Sequence, residues 1–155
     1  MIIIGVDPGA SGGIAALRQD DRSGSAWPLK HLTIMEQWRA FQAVWNSSIV
    51  CNDPGISAYL ESVHSMPRDG VRSAFSFGKS YGNLEAFLVA AEIPFERVTP
   101  SVWQKEFGLI KRKGKTHTAK KNRHKALAQE MFPSVKVTHA VADALLIAEY
   151  GRRQK

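Results

Sequence analysis

Three acidic residues stand out in the sequence because each one is embedded in apolar residues. Asp7 follows Ile-Ile-Ile-Gly-Val, Glu61 follows Ala-Tyr-Leu, and Asp143 lies within Ala-Val-Ala-Asp-Ala-Leu-Leu. Carboxylates are rarely buried unless they are paired or bind a metal, and none of the three segments contains an obvious basic partner. A buried ion pair or a helix cap would explain one such acid, and Asp7 alone could simply open a turn. Three together favour a shared cationic centre.

Hard oxygen ligands of this kind select Mg²⁺, with Mn²⁺ as a substitute, rather than zinc or copper. Two such ions roughly 4 Å apart catalyse phosphodiester hydrolysis, since one activates the attacking water and the other stabilises the leaving 3′ oxygen. We therefore expect two ions, with Asp7 as the bridging ligand between Glu61 and Asp143. His139 stands four residues before Asp143, on the same face of a helix. It is expected to ligate the same ion or to carry a proton to the water; the alternative is a helix-start residue without a catalytic role.

The elements that must position these residues can be predicted from apolar periodicity and turn signals. The predicted strands are residues 2–6, 14–17, 29–34, 56–63 and 94–98, with a loop at 19–25, and the predicted helices are 36–49, 71–92, 101–107, 118–131 and 139–152. Asp7 and Glu61 then lie near the carboxyl ends of strands, and Asp143 lies on the last helix. The order predicts one α/β domain over residues 1–155, with a five-stranded mixed sheet flanked by helices.

Two glycines, Gly78 and Gly82, fall inside the predicted helix 71–92. Each costs up to about 1 kcal/mol relative to Ala in a helix interior, so close packing against another backbone is expected to compensate. That backbone is either the protein's own sheet or a second copy of the chain in a homodimer.

The charge distribution points to a polyanionic partner. The chain of 155 residues has a formal net charge of +7, and residues 107–129 contain no Asp or Glu. We expect this stretch to follow a phosphate backbone. Its basic residues are Lys111, Arg112, Lys113, Lys115, Lys120, Lys121, Arg123 and Lys125.

Other classes of protein are disfavoured. Cys51 is the single cysteine, which excludes an internal disulfide and a thiolate metal cluster. No window is apolar enough to span a bilayer, and the core strand begins directly after Met1 without a signal sequence. A protein of the reducing cytoplasm is expected.

The same residues carry a resemblance. The segment Ile-Ile-Ile-Gly-Val-Asp7-Pro-Gly, the strand-borne Glu61 and the segment His139-Ala-Val-Ala-Asp143-Ala-Leu-Leu-Ile-Ala resemble the RuvC family of Holliday junction resolvases, especially its phage-type members. The segment from Met66 to Gly82 is similar to the stretch after the Glu in those members. The resemblance covers nearly the whole chain in order.

The resemblance implies an RNase H-like fold, a homodimer with two active sites, and magnesium-dependent paired nicking of four-way DNA junctions. It implies that Asp7, Glu61 and Asp143 are metal ligands and that His139 is the fourth, at a place where many relatives have an Asp.

It also implies that Lys105 and Lys121 lie near the scissile strand. His64 stands where the family often has an aromatic wedge.

Two rival functions stay open at this point. The first is another RNase H-like nuclease that acts on structured RNA, since the opening Gly-Val-Asp-Pro-Gly segment is shared within that superfamily. The second is a catalytically silent protein that binds junctions. The long glycine-containing helix and the basic stretch argue against the first, and the intact set of three acids argues against the second.

Overall fold

Five strands form one mixed sheet in the computed structural model, which describes residues 1–9, 11–50, 55–63, 70–110 and 116–155. The strands are β1 (Ile2–Asp7), β2 (Gly13–Arg18), β3 (Gly24–Pro28), β4 (Ile56–Glu61) and β5 (Phe95–Val98). Their order across the sheet is β3-β2-β1-β4-β5. The pairs β1–β2 and β2–β3 are antiparallel, whereas β1–β4 and β4–β5 are parallel. The predicted meander followed by parallel crossovers is confirmed.

Helices cover both faces of this sheet. They are α1 (Ile34–Val50), α2 (Val71–Ala90), α3 (Pro100–Glu106), α4 (His117–Met131) and α5 (His139–Gln154). Among the described residues, no helix has both the length and the apolar character that crossing a membrane requires.

The central strand β1 is buried on both faces, which explains its continuous apolar sequence. Ile3 belongs to a core cluster with residues of α3, α4 and α5. Ile4 and Val6 belong to a second cluster with residues of α1 and α2. Three helices therefore pack on one face and two on the other.

Helix α5 packs closely on β1 and β2 because glycines face it. A Cβ atom on Gly13 would lie 2.6 Å from the carbonyl oxygen of Ala140, and one on Gly5 would overlap the carbonyl oxygen of Ala144. This close approach brings the amino-terminal half of α5, and with it Asp143, to the end of β1 where Asp7 lies.

The predicted position of the third strand is wrong. Residues 29–34 were expected to form it, but β3 occupies Gly24–Pro28, inside the predicted loop. The reason is a capping box: the Thr33 backbone N–H donates to Glu36 Oε2 at 2.7 Å, and the Glu36 N–H donates to Thr33 Oγ1 at 3.3 Å. This cap begins α1 at Ile34 and leaves no room for a strand there.

Close packing of Gly78 and Gly82 on the protein's own sheet is also a wrong prediction for the described residues. A Cβ atom built on either glycine meets nothing within 4 Å. Both glycines lie on the open face of α2, where the neighbouring side chain of Phe75 is 75% exposed. The homodimer stays a prediction.

Candidate active site

The three acidic residues converge on one edge of the sheet. Asp7 ends β1 and Glu61 ends β4, and these strands are parallel with Val6 opposite Leu60. Asp7 and Glu61, the next residues along these strands, therefore lie side by side at the carboxyl edge of the sheet. Asp143 reaches the same place from α5.

A tight turn after β1 presents the Asp7 side chain. The backbone N–H of Gly9 donates to Asp7 Oδ1 at 3.0 Å, and that of Gly12 donates to the Gly9 carbonyl at 2.8 Å. A Cβ atom on Gly12 would overlap the Asp7 carbonyl oxygen, so the turn requires glycine there. Ser80 of α2 donates to the Pro8 carbonyl at 3.4 Å and ties the turn to that helix.

The pKa of Asp7 is raised from its ordinary value of 3.8 to about 6. Burial is the largest cause, and repulsion from Asp143 adds to it. The Gly9 hydrogen bond and the charges of Lys121 and Lys120 oppose the rise without cancelling it.

Glu61 is the most strongly perturbed acid of the three. Its side chain is buried, and the Trp103 indole Nε1–H donates to Glu61 Oε1 at 2.9 Å. Burial and repulsion from Asp7 raise the pKa of Glu61 from 4.5 to about 8, with the Trp103 hydrogen bond and Lys120 acting in the opposite direction. The Trp103 N–H group and the charge of Lys120 lower the pKa by less than burial and repulsion from Asp7 raise it.

Asp143 contacts a histidine that the sequence did not single out. His124 Nδ1 lies 2.6 Å from Asp143 Oδ1, and the His124 side chain is buried. The ring also contacts that of Trp103 edge to face, with centroids 5.4 Å apart and an interplanar angle of 74°. The residues behind Glu61 and Asp143 thus form one connected group.

The predicted fourth ligand, His139, does not lie against the acids. Its side chain is exposed at the start of α5, and His139 Nε2 lies 2.9 Å from Asn122 Oδ1 on α4. Its role at the metal stays a prediction.

The predicted DNA-binding residues fall in two places. Lys120 and Lys121 lie in the first turns of α4, close enough to Asp7 to influence its pKa, and Lys121 Nζ lies 3.4 Å from Ser11 Oγ. Lys105 lies elsewhere, beside Tyr150 near the carboxyl end of α5. Two more basic residues of the stretch, Arg123 and Lys125, lie on α4, and Arg123 Nη2 donates to the Gly108 carbonyl oxygen at 3.0 Å. The other predicted contacts lie outside the described residues, as do Cys51 and His64; these contacts are Lys111, Arg112, Lys113 and Lys115.

The acids fit a divalent cation by their chemistry. Hard carboxylate oxygens are the donors that Mg²⁺ and Mn²⁺ prefer, and burial together with the neighbouring carboxylates raises the pKa values of Asp7 and Glu61, so the charged forms lack a compensating cation among the described residues. Within the described ranges, however, no group of three His, Cys, Asp or Glu side chains lies at the spacing of ligands to one ion. The side chains must draw together to bind.

Comparison with known proteins identifies the fold. No protein-family model matches the chain, and no curated protein does. A structure of Thermus thermophilus RuvC in complex with a Holliday junction substrate matches with a TM-score of 0.62 and 15% identity, over 99% of this chain and 96% of that one. A second T. thermophilus RuvC structure matches over the same shares with a TM-score of 0.57 and 16% identity. The chain has the fold of RuvC.

Within this RuvC fold, the sequence reasoning missed Trp103 and His124. His124 lies in a helix rich in lysine, and such a composition is typical of a solvent-exposed helix. A signal was nevertheless present, because His124 precedes Leu127, Ala128 and Met131 by three, four and seven residues, the spacing of one helix stripe.

Proposed function

We propose that the chain is an endonuclease that resolves four-way (Holliday) and related branched DNA junctions by metal-dependent paired nicking. The observation that carries the proposal is the meeting of Asp7, Glu61 and Asp143 at one sheet edge without a compensating charge. In the described part of the chain, no lysine or arginine forms an ion pair with any of the three. Full-length similarity to the RuvC fold supports the same function.

Asp7, Glu61 and Asp143 would hold the metal, with His139 as the fourth ligand once it leaves Asn122. Two Mg²⁺ ions bound there would supply an activated water and stabilise the leaving 3′ oxygen. Trp103 shields Glu61 from solvent and orients its carboxylate. Gly9 leaves the space beside Asp7 Oδ1 free of a side chain, because a Cβ atom there would lie 3.3 Å from that oxygen.

Lys120 and Lys121 would attract the DNA backbone to the acids. Both are half-buried at the start of α4 beside the Asp7 carboxylate. On the α2 side of the Asp7 turn, a hollow of about 510 Å³ is lined by Gly9, Arg72 and His31, among other residues. Cationic side chains on both sides of the turn supply affinity for phosphates rather than sequence reading.

A junction presents two equivalent strands, so paired nicks require two active sites related by a two-fold axis. The open face of α2 supports a homodimer: Gly78 and Gly82 are exposed on it, and the side chains of Val71 and Phe75 are 88% and 75% exposed. Exposed apolar groups next to flat glycine surface are typical of protein contacts. We propose this face as the dimer contact.

Product mapping on a mobile four-way DNA junction tests the function. Wild-type protein with Mg²⁺ should give symmetric nicks in two opposed strands, and EDTA or the near-isosteric Asp7→Asn variant should abolish them. Asp7→Asn should still bind the junction, because it removes a negative charge beside the phosphate. Binding without nicking by the wild type would support the silent-binder alternative, and preferential cleavage of a structured RNA would support the other nuclease.

A further inference from the structure

Two aromatic side chains, Trp103 of α3 and His124 of α4, form a layer directly behind the acids. Trp103 is 0% exposed and His124 is 1% exposed. Their rings meet edge to face at 5.4 Å between centroids, and Trp103 belongs to the core cluster built around α5. The layer is therefore anchored in the packed interior.

Each ring holds one oxygen of one acid. Trp103 Nε1–H donates to Glu61 Oε1 at 2.9 Å, and His124 Nδ1 lies at 2.6 Å from Asp143 Oδ1. Within the described ranges, the second oxygen of each carboxylate, Oε2 of Glu61 and Oδ2 of Asp143, has no hydrogen bond from the protein. One oxygen of each acid is thus fixed and the other is left for a ligand.

His124 acts through Asp143 rather than on a substrate. Its Nδ1 atom is engaged by the carboxylate, and its Nε2 atom is buried without a partner among the described residues. Neither ring nitrogen can therefore contact DNA or the water molecule that would attack a phosphate of the DNA. A catalytic base or a direct metal ligand would need one nitrogen facing the open side of the site.

We propose that Trp103 and His124 are positioning residues that together set the spacing and orientation of the Glu61 and Asp143 carboxylates for a divalent cation. Glu61 comes from β4 and Asp143 from α5, so no single element fixes their relative position. The contact between the two rings supplies that link. Groups that orient metal ligands in this way typically contribute 10- to 100-fold in metal affinity.

The inference rests on the proposed function only in taking the acids to bind a divalent cation. Its test is Mn²⁺ binding to the whole protein without DNA, measured by the electron paramagnetic resonance signal of free Mn²⁺. Trp103→Phe and His124→Phe keep a ring and remove the hydrogen bond to the acid. Each should weaken Mn²⁺ binding by about 10-fold or more.

Two further variants separate positioning from packing. His124→Asn carries an N–H donor on Cγ, where His124 has Nδ1, but loses the ring that contacts Trp103, so it should recover only part of the affinity that His124→Phe loses. Trp38→Phe makes the same change as Trp103→Phe on the opposite face of the sheet, where Trp38 packs on Phe87 at 5.4 Å between ring centroids. It should leave Mn²⁺ affinity unchanged.

A measurement on wild-type protein covers the case in which Trp103→Phe or His124→Phe fails to fold. The indole N–H resonance of Trp103 should shift when Mg²⁺ is added and should also shift in Glu61→Gln, whereas that of Trp38 should not. Trp103 is assigned by elimination, from the resonances lost in Trp27→Phe, Trp38→Phe and Trp45→Phe.

The outcomes separate this inference from the proposed function. The inference is overturned if the Trp103→Phe and His124→Phe variants fold and bind Mn²⁺ with wild-type affinity. It is also overturned if the indole N–H resonance of Trp103 does not shift when Mg²⁺ is added. Wild-type protein without saturable Mn²⁺ binding would overturn it as well. Mn²⁺ binding that depends on both rings, in a protein that nicks no junction, would uphold the inference and overturn the function.

Discussion

The two acidic residues of helix α5, Asp143 and Glu149, lie six positions apart in opposite electrostatic environments. Near its carboxyl end, the Glu149 side chain is fully buried, and Arg152 Nε and Arg153 Nε donate to it at 2.7 and 3.0 Å. Burial alone would raise the pKa of Glu149, but the bonds from Arg152 and Arg153, with a further charge from Arg22, lower it instead. This acid has its counter-charge inside the protein.

Near its amino-terminal end, α5 presents Asp143 to two other acids. Asp7 and Glu61 have raised pKa values to which burial and the neighbouring carboxylates both contribute. Lys120 and Lys121, whose charges lower the pKa of Asp7, form no ion pair with either acid in the described part of the chain. This end of the helix brings three carboxyl groups together without a lysine or arginine of the described ranges paired to any of them.

The comparison shows that burial of an acid does not by itself mark a functional site. Glu149 is less exposed than Glu61, yet its arginine partners explain it completely as a structural ion cluster. What distinguishes the carboxylates around Asp143 is the missing counter-charge. A bound cation would supply it.

The largest expected effect is that of Asp7→Asn on cleavage. Removing a ligand from the proposed metal site should lower the rate of junction nicking by at least 10²- to 10³-fold, the loss typical of one electrostatic contact to the transition state. Because Asn can still accept from Gly9, and because one repelling charge is gone, the variant should be at least as stable as wild type. Single-turnover nicking and urea denaturation measure the two quantities. A large loss of stability would give Asp7 a folding role.

Glu149→Gln should show the reverse pattern. It leaves Arg152 and Arg153 without their buried partner and should reduce the free energy of unfolding by roughly 3 kcal/mol, with the nicking rate of the folded fraction unchanged. Because the pKa of Glu149 is lowered by folding, the difference from wild type should be present at neutral pH and shrink as the pH falls through the carboxylate range. Glu106→Gln, which removes an exposed partner of Arg153, is the matched control and should cost less than about 1 kcal/mol. Equal effects of the two would contradict the comparison.

A double substitution of Lys120 and Lys121 by Ala should weaken junction binding and flatten its salt dependence. If each lysine neutralises one phosphate, the slope of log K against log salt should decrease in magnitude by roughly 2. Fluorescence anisotropy at several salt concentrations measures it. Lys155→Ala, at the far end of α5, is the control and should change the slope little. An unchanged slope in the double variant would mean that the start of α4 faces away from DNA.

The stability of the metal-free protein should depend on pH in a direction set by Asp7 and Glu61. Their pKa values in the folded state, about 6 and about 8, lie above the ordinary 3.8 and 4.5, so the folded state binds more protons between these limits. Stability contributed by the protonated acids is therefore present at low pH and lost as the pH rises through the folded pKa values. In EDTA, Tm should fall between about pH 5 and pH 8, and Mg²⁺ should raise it again at pH 8. Identical curves with EDTA and Mg²⁺ would contradict this.

The sheet and the three acids were predictable because their signals are local. An apolar run that ends in an acid before a glycine turn specifies both β1 and the place of Asp7, and a second apolar run, which contains Glu61 near its carboxyl end, specifies β4. Strand β3 was misplaced because Gly24–Pro28 is a short, largely exposed edge strand with little apolar alternation. Its position depends on pairing with β2, and the sequence of residues 24–28 alone does not indicate that pairing.

The surroundings of the acids were not predictable in the same way. The contact of Trp103 with Glu61 and that of His124 with Asp143 join residues 42 and 19 positions apart, and neither residue type has a spacing rule that pairs it with an acid. Glu149 is different, since Arg152 and Arg153 follow it by three and four residues, which predicts ion pairs on a helix.

Titration calorimetry of Mn²⁺ binding at pH 7, repeated in buffers of different ionisation enthalpy, tests most directly whether a cation supplies the missing charge. Glu61, with a pKa of about 8, is mostly protonated at pH 7 in the metal-free protein and must lose its proton to become a ligand. Saturable binding with release of roughly one proton per active site is expected, with a release close to zero in Glu61→Gln. No saturable binding, or a proton release that is the same in wild type and Glu61→Gln, would contradict this expectation.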